Sequence, residues 1–163
     1  MGREGLMKPL FLPWLRRKFI TAGITSCLFA ALYSWLAPDP FHVYTYLTFG
    51  EHLHRTISMI TIYLMYAAPA IYIYGLLTSF LTEILSHALT TNKWIRLAVS
   101  ALFHSLFGLI LWYISLLAAI LFFLVDVCLS KFQKDYSITL VLCSLLLPSA
   151  LWLTCLFYLH LWG

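Results

Sequence analysis

The sequence predicts an all-α integral membrane protein in which four transmembrane helices form an antiparallel up-and-down bundle. Two observations lead to this fold class. Of the 163 residues, 63% are hydrophobic and only 10% are charged, whereas about a quarter of the residues in a soluble domain are charged. The apolar residues also form long uninterrupted stretches, not the short alternating segments of a membrane β-barrel, so helices are the favoured spanning elements.

The predicted spans cover residues 19–37, 56–82, 97–125 and 137–161. None of them contains Asp, Glu, Lys or Arg, and each is close to or above the length of about 20 residues that crosses the hydrocarbon core as a helix. The segment 1–18 is basic and is expected to lie at the membrane surface. The chain, 1–163, is therefore predicted to be a single integral membrane domain whose first partner is the lipid bilayer.

The distribution of basic residues predicts the orientation. Seven of the ten Lys and Arg residues precede the first span or lie between the second and third, and the other three fall on the opposite side. Because cytoplasmic loops are enriched in Lys and Arg, both termini are predicted to be cytoplasmic. The net charge of +4 is explained by contact with anionic headgroups, and no nucleic-acid partner is expected.

Two prolines lie well inside predicted spans. Pro69 is in the second span and Pro148 is in the fourth. Proline removes one backbone hydrogen bond and clashes with the carbonyl four residues earlier, so each is predicted to kink its helix near the middle of the bilayer.

Two stripes of small and polar residues recur at the four-residue spacing of one helix face. They consist of Gly75, Ser79, Glu83 and His87 on the second span, and of Arg96, Ser100, His104 and Gly108 on the third. Small residues allow membrane helices to approach closely. The two stripes are therefore predicted to pack against each other.

The ionisable members of these stripes allow two interpretations. In the structural one, Glu83 pairs with Arg96 or His104 and holds the second span against the third, because an isolated charge in a bilayer is costly. In the functional one, Glu83, His87 and His104 form a proton or cation site that opens to the cytoplasm. Asp126 follows the third span and is expected at its outer end.

A metal site is the remaining chemical possibility. The sequence EHLHR, residues 51–55, offers His52 and His54 as candidate nitrogen ligands. On a helix, however, these two side chains point to opposite faces. No cofactor and no metal are therefore expected. The common enzyme motifs are also missing from the sequence, so the protein is predicted not to be an enzyme.

Three segments resemble a known family. They read IYIYGLLTSFLTEIL, RLAVSALFHSLFGLILW and AILFFLVDVCLSKF, and together they fall within residues 71–132. This pattern resembles an uncharacterised family of small four-span integral membrane proteins of Bacillus-type bacteria. The resemblance implies a bacterial plasma membrane and four helices, and it implies no activity. Relatives would carry a second acidic residue after Asp126, where this chain has Val127.

Three functions follow as expectations. The first is a non-enzymatic module that associates with partner membrane proteins, or with itself, through the small-residue stripes and exposed aromatic residues. The second is a homo-oligomeric channel or small transporter whose lumen is lined by Glu83, His87 and His104. The third is a metal-dependent or intramembrane enzyme, for which His52 and His54 would be essential.

Overall fold

The computed structural model describes residues 4–40, 47–110, 112–132 and 135–162, with side chains from residue 12 onward. The regular elements in these ranges are all helical. They are α1 (Glu4–Leu36), α2 (Phe49–Ala70), a π-helical turn (Ile71–Gly75), α3 (Leu76–Leu89), α4 (Lys93–Leu109), α5 (Trp112–Phe132) and α6 (Ile138–Trp162). Four helical segments are long and apolar enough to cross a membrane: Leu12–Leu36, Phe49–Leu89, Trp112–Phe132 and Ile138–Trp162. The predicted all-α class is thus confirmed, and four helices able to span a membrane are present.

The second segment is a single helical run from Phe49 to Leu89 with a wide turn in its middle. It begins with a capping box, in which the Thr48 hydroxyl accepts a hydrogen bond from the Glu51 N–H and the Glu51 carboxylate accepts one from the Thr48 N–H. Pro69 lies just before the π-turn. Since proline has no N–H, the helical ladder loses a bond at this point, and the following residues adopt the wider winding.

The prediction that residues 97–125 form one continuous span is wrong. The chain reverses between Leu109 and Trp112, and Trp112 has a φ of 75°, in the left-handed region that bulky residues rarely adopt. The rings of His104 and Phe122 lie 5.9 Å apart, which places α4 alongside α5. The sequence at this turn contains no proline and no polar residue, so hydropathy alone does not indicate that a helix ends here.

The α2–α3 run lies antiparallel to α1. At one end, the rings of Trp35 and His52 are 4.6 Å apart, and at the other end those of Trp14 and Phe80 are 5.8 Å apart. The basic residues Arg16 to Lys18 are part of α1 itself. The predicted surface segment 1–18 is therefore helical from Glu4 and continues directly into the first span.

Helix α6 runs in the same direction as α1. Ile20 packs with Tyr136 and Val141 where α6 begins, and the His54 and Tyr158 rings face each other near the end of α6. His54 lies at the end of the bundle where α1 finishes. The first residues of α1 and of α6 thus lie at the same end of the bundle. If both chain termini were on the same side of a membrane, as predicted, α6 would have to run in the direction opposite to α1.

The centre of the bundle is formed by Ala22, Phe29, Ile71 and Phe122, contributed by α1, the π-turn and α5. Close helix approach is made possible by Gly23, where an added Cβ would overlap the Ser144 carbonyl oxygen and lie 2.8 Å from the Tyr72 hydroxyl. The Tyr72 hydroxyl donates a hydrogen bond to the same Ser144 carbonyl at 3.1 Å. This contact joins α1, the π-turn and α6 at one point.

Candidate functional site

A cavity of about 340 Å³ lies between the π-turn, α4 and α5. Its wall is mainly aromatic and aliphatic, with Phe29, Tyr66 and Ile71 on one side and Ala118 and Phe122 on another. The volume falls in the range of about 300–1,000 Å³ that is typical of small-molecule sites. Because π-turns inside α-helices are frequent at functional sites, we call this space the main cavity and treat it as the candidate site.

His104 forms the most distinctive part of the cavity wall. Its side chain is 4% exposed and packs against the rings of Phe122 and Phe123, at 5.9 and 5.8 Å. Within the described part of the chain, the imidazole nitrogens have no hydrogen-bond partner. A buried polar side chain ordinarily has such a partner, so His104 brings unused hydrogen-bonding capacity into an apolar space.

Two hydroxyl groups lie in the same wall. The Tyr74 hydroxyl donates to the Phe107 carbonyl at 2.8 Å, where α4 is about to end, and the Thr78 hydroxyl donates to the Tyr74 carbonyl at 2.9 Å. Tyr74 therefore adds a second hydrogen bond to the Phe107 carbonyl, which also accepts one from the Ile110 N–H at 3.3 Å where α4 ends. Both hydroxyl protons are used, and the oxygen lone pairs remain available as acceptors.

A buried ionic cluster joins α1 to α5. The Asp126 carboxylate contacts Lys18 Nζ at 2.8 Å and Arg17 Nε at 3.0 Å, and the Lys18 side chain is 2% exposed. Lys18 Nζ also lies 5.4 Å from the centre of the Trp14 ring. The expectation that Asp126 lies at the outer end of its span, away from the basic start of the chain, is wrong because the turn between α4 and α5 reverses the direction of α5.

The connection between α5 and α6 lies beside this cluster. Arg16 Nη1 donates to the Tyr136 carbonyl at 3.2 Å and contacts the exposed Asp135 carboxylate at 3.4 Å. The Tyr136 hydroxyl donates to the Leu129 carbonyl at 2.8 Å, and burial raises the pKa of Tyr136. The phenol therefore stays a neutral hydrogen-bond donor that fastens the start of α6 to α5.

The predicted pairing of Glu83 with Arg96 or His104 is not what the structure shows. His87 lies between the two charged groups: its ring is 3.1 Å from the Glu83 carboxylate and 3.3 Å from Arg96 Nη1. The three residues connect α3 to α4 on an exposed surface. His104 is not hydrogen-bonded to any of them and lines the main cavity instead, so it lies apart from the Glu83 and His87 with which the functional interpretation groups it.

The glycines of the two stripes face α5 instead of each other. A Cβ at Gly75 would lie 3.2 Å from the Phe122 ring, and one at Gly108 would lie 2.7 Å from the Ala119 Cβ. Ser79 is buried, whereas Ser100 is half-buried. The close approach predicted for these positions is thus present, but it joins the π-turn and α4 to α5, a helix that the sequence analysis did not separate from α4.

The two candidate metal ligands point to different neighbours. His52 packs on Trp35 of α1, and His54 faces Tyr158 of α6. Among the residues that the structure describes, no group of three His, Cys, Asp or Glu side chains could hold a metal ion. His52 and His54 are therefore not brought together, as their helical spacing predicts.

Pro69 and Pro148 line one groove between α2 and α6. This second cavity measures about 290 Å³ and also touches Tyr72 and Trp152. Both prolines lie inside helices, and the predicted kinks remain predictions. The groove lies on the opposite side of the π-turn from the main cavity, because Tyr72 and Tyr74 each line only one of the two.

Sequence reasoning missed Lys18, Tyr74 and the cavity. Lys18 and Asp126 each flank an apolar span, and an ionisable residue in that position needs a partner. Pro69, two residues before IYIYG, was the available signal for an irregular turn. Neither signal specifies which helices surround the resulting space.

No family model matches the chain, and neither a curated protein nor a solved structure matches it.

Proposed function

We propose that this protein is a non-enzymatic, multi-pass membrane protein that binds an apolar molecule from the bilayer in the main cavity. The observation that carries this proposal is the cavity of about 340 Å³, with its aromatic wall and a buried, unpartnered imidazole. The cavity is partly open to the surroundings of the bundle and its wall is mainly apolar, so an apolar molecule can enter it and bury its surface there. Lipid chains are the apolar molecules most abundant around such a protein.

Association through the small-residue stripes is less well supported. Gly75 and Gly108 already pack against α5 of the same chain, so their close-approach surfaces are used inside the bundle. A partner membrane protein or a second copy would have to contact other faces. A homo-oligomeric channel lined by Glu83, His87 and His104 would require these residues to face one lumen, whereas His104 faces the main cavity.

The proposed topology has five passes. Helix α4, with 17 residues, is about 25 Å long and approaches the thickness of the hydrocarbon core. With α4 counted as a pass, seven of the eight Lys and Arg residues on the described backbone lie at the end where α1 begins, and Arg55 lies at the other. This bias supports a cytoplasmic N-terminus and a C-terminus on the opposite side.

The proposed location is a bacterial plasma membrane. This part of the proposal rests on the resemblance of residues 71–132 to the small membrane proteins of Bacillus-type bacteria. The apolar exterior of the four long helices supports a membrane of some kind.

The experiment is to count lipids retained by the purified protein with native mass spectrometry in a mild detergent. Ala118→Leu adds three carbon atoms to the wall of the main cavity, so it should eliminate a tightly held lipid seen with the wild type. Ala150→Leu makes the same change on an exposed position of α6 and should leave the lipid in place. Equal lipid retention by all three proteins would count against the proposal.

A further inference from the structure

We infer that the molecule held in the main cavity is an uncharged lipid with a free hydroxyl group, which hydrogen-bonds to His104. This inference rests on the proposed function, because it identifies the chemical class of the ligand that occupies the same cavity.

His104 supplies the imidazole in the wall of the main cavity. The imidazole is 4% exposed, packs between Phe122 and Phe123, and lines the cavity. A charged imidazole among phenyl rings would carry a large desolvation cost, so the ring is neutral. A neutral imidazole has one N–H donor and one nitrogen acceptor, and neither is used within the described part of the chain.

Besides His104, the polar side chains in the wall of the main cavity are the hydroxyls of Tyr63, Tyr66, Tyr74, Thr78 and Ser115. Tyr74 and Thr78 donate their hydroxyl protons to backbone carbonyls, so they offer only lone pairs to a ligand. Together with His104, the wall can therefore both donate to and accept from the same ligand. A hydroxyl group matches this pattern, since it carries one donor and two acceptor positions. An ester or ketone carbonyl has no proton to donate, so it could accept from the imidazole N–H but would leave the acceptor nitrogen of the imidazole unused.

No Asp, Glu, Lys or Arg is among the described residues that line the main cavity. The nearby cations Arg17 and Lys18 are already bound to Asp126. A phosphate or carboxylate placed in the cavity would therefore lack a counter-ion, and burial of such a group is costly. The ligand class is thus neutral.

The test compares three probes with the full-length protein in detergent, using native mass spectrometry to obtain dissociation constants. The probes are dioleoylglycerol, its O-acetylated derivative and dioleoyl phosphatidic acid. Wild type should prefer dioleoylglycerol to the acetylated form by about fivefold, as expected for one net hydrogen bond. His104→Phe keeps the ring contacts with Phe122 and should eliminate this preference while it retains binding of the acyl chains.

His160→Phe is the matched control, because His160 is an exposed imidazole on α6. It should behave as wild type. The inference would be overturned if wild type bound dioleoylglycerol and its acetylated derivative with equal affinity. If Ala118→Leu then bound neither probe, the proposed function would remain intact. Preference for phosphatidic acid would also overturn the inference. If Ala118→Leu did not weaken the binding of any of the three probes, the proposed function itself would be contradicted.

Discussion

Lys18 and Asp126 form an ion pair inside the helix bundle, with Lys18 Nζ 2.8 Å from Asp126 Oδ2. The two residues are 108 positions apart in the sequence, and their contact fixes α5 alongside the basic part of α1. Arg17 binds the other oxygen of the same carboxylate at 3.0 Å. The carboxylate is thus shared by two cations, one of which is almost completely buried.

Asp126→Asn should destabilise the bundle strongly. Asparagine keeps the shape of aspartate but leaves the buried Lys18 ammonium without a counter-charge, and loss of one partner of a buried ion pair costs about 3–5 kcal/mol. The free energy of unfolding, measured by denaturant titration in mixed micelles, should fall by about 3 kcal/mol.

Asp135→Asn is the matched control for this effect. Asp135 is 61% exposed and lies 3.4 Å from Arg16, so its loss should cost less than about 1 kcal/mol. Similar losses for the two variants would show that the Lys18–Asp126 pair is not buried in the folded protein.

Gly23→Ala should also destabilise the bundle. The added methyl group would overlap the Ser144 carbonyl oxygen and crowd the Tyr72 hydroxyl, so α6 must move away from α1. Overpacking of this kind costs about 1–3 kcal/mol. Gly50→Ala serves as the control, because nothing lies within 4 Å of its added Cβ, and it should be neutral or slightly stabilising in a helix. The comparison uses thermal unfolding, and a neutral Gly23→Ala would argue against the close approach.

Tyr74→Phe should loosen the end of α4. The change removes the hydrogen bond to the Phe107 carbonyl and should reduce the free energy of unfolding by about 1 kcal/mol. Amide hydrogen exchange should also become faster in residues 104–109. Tyr66→Phe removes a hydroxyl from a side chain that is 69% exposed and should change neither quantity. Unchanged exchange in both variants would mean that the Tyr74 contact does not hold α4.

The proposed topology predicts which positions react with a membrane-impermeant maleimide in intact cells. In a background where the four native cysteines are replaced by alanine, Trp162→Cys and Arg55→Cys should react. Lys93→Cys should react only after the membrane is permeabilised, because it lies at the end where α1 begins. If the cysteines at positions 93 and 162 were both protected in intact cells, the result would support two cytoplasmic termini and contradict the proposed topology.

Composition and apolar periodicity were sufficient to predict an all-α chain with four helices able to span a membrane. They were insufficient to place the turn between α4 and α5. The stretch from Leu97 to Val125 contains no Asp, Glu, Lys or Arg, so its hydropathy is the same whether it forms one tilted span or a helical hairpin. The hairpin depends on contacts such as Gly108 with Ala119, which become visible only when the helices are packed.

The turn between α4 and α5 accounts for most of the differences between the candidate site that was predicted and the one that is observed. Without it, Asp126 is assigned to the side opposite Lys18, and Gly75 and Gly108 are expected to face each other. With it, Asp126 reaches Lys18, and both glycines face α5. The unpartnered state of His104 could not be predicted either, because it depends on the side chains that surround the imidazole.

The most direct measurement of the central claim is photo-crosslinking in the bilayer with a diacylglycerol that carries a diazirine in its acyl chain, followed by peptide mapping. The account predicts labelling concentrated on main-cavity residues such as Ile71, Tyr74 and Ala118, competition by excess dioleoylglycerol, and loss of this labelling in Ala118→Leu. Labelling spread evenly over exposed positions of α5 and α6, such as Leu124 and Leu146, and unaffected by competitor, would contradict it.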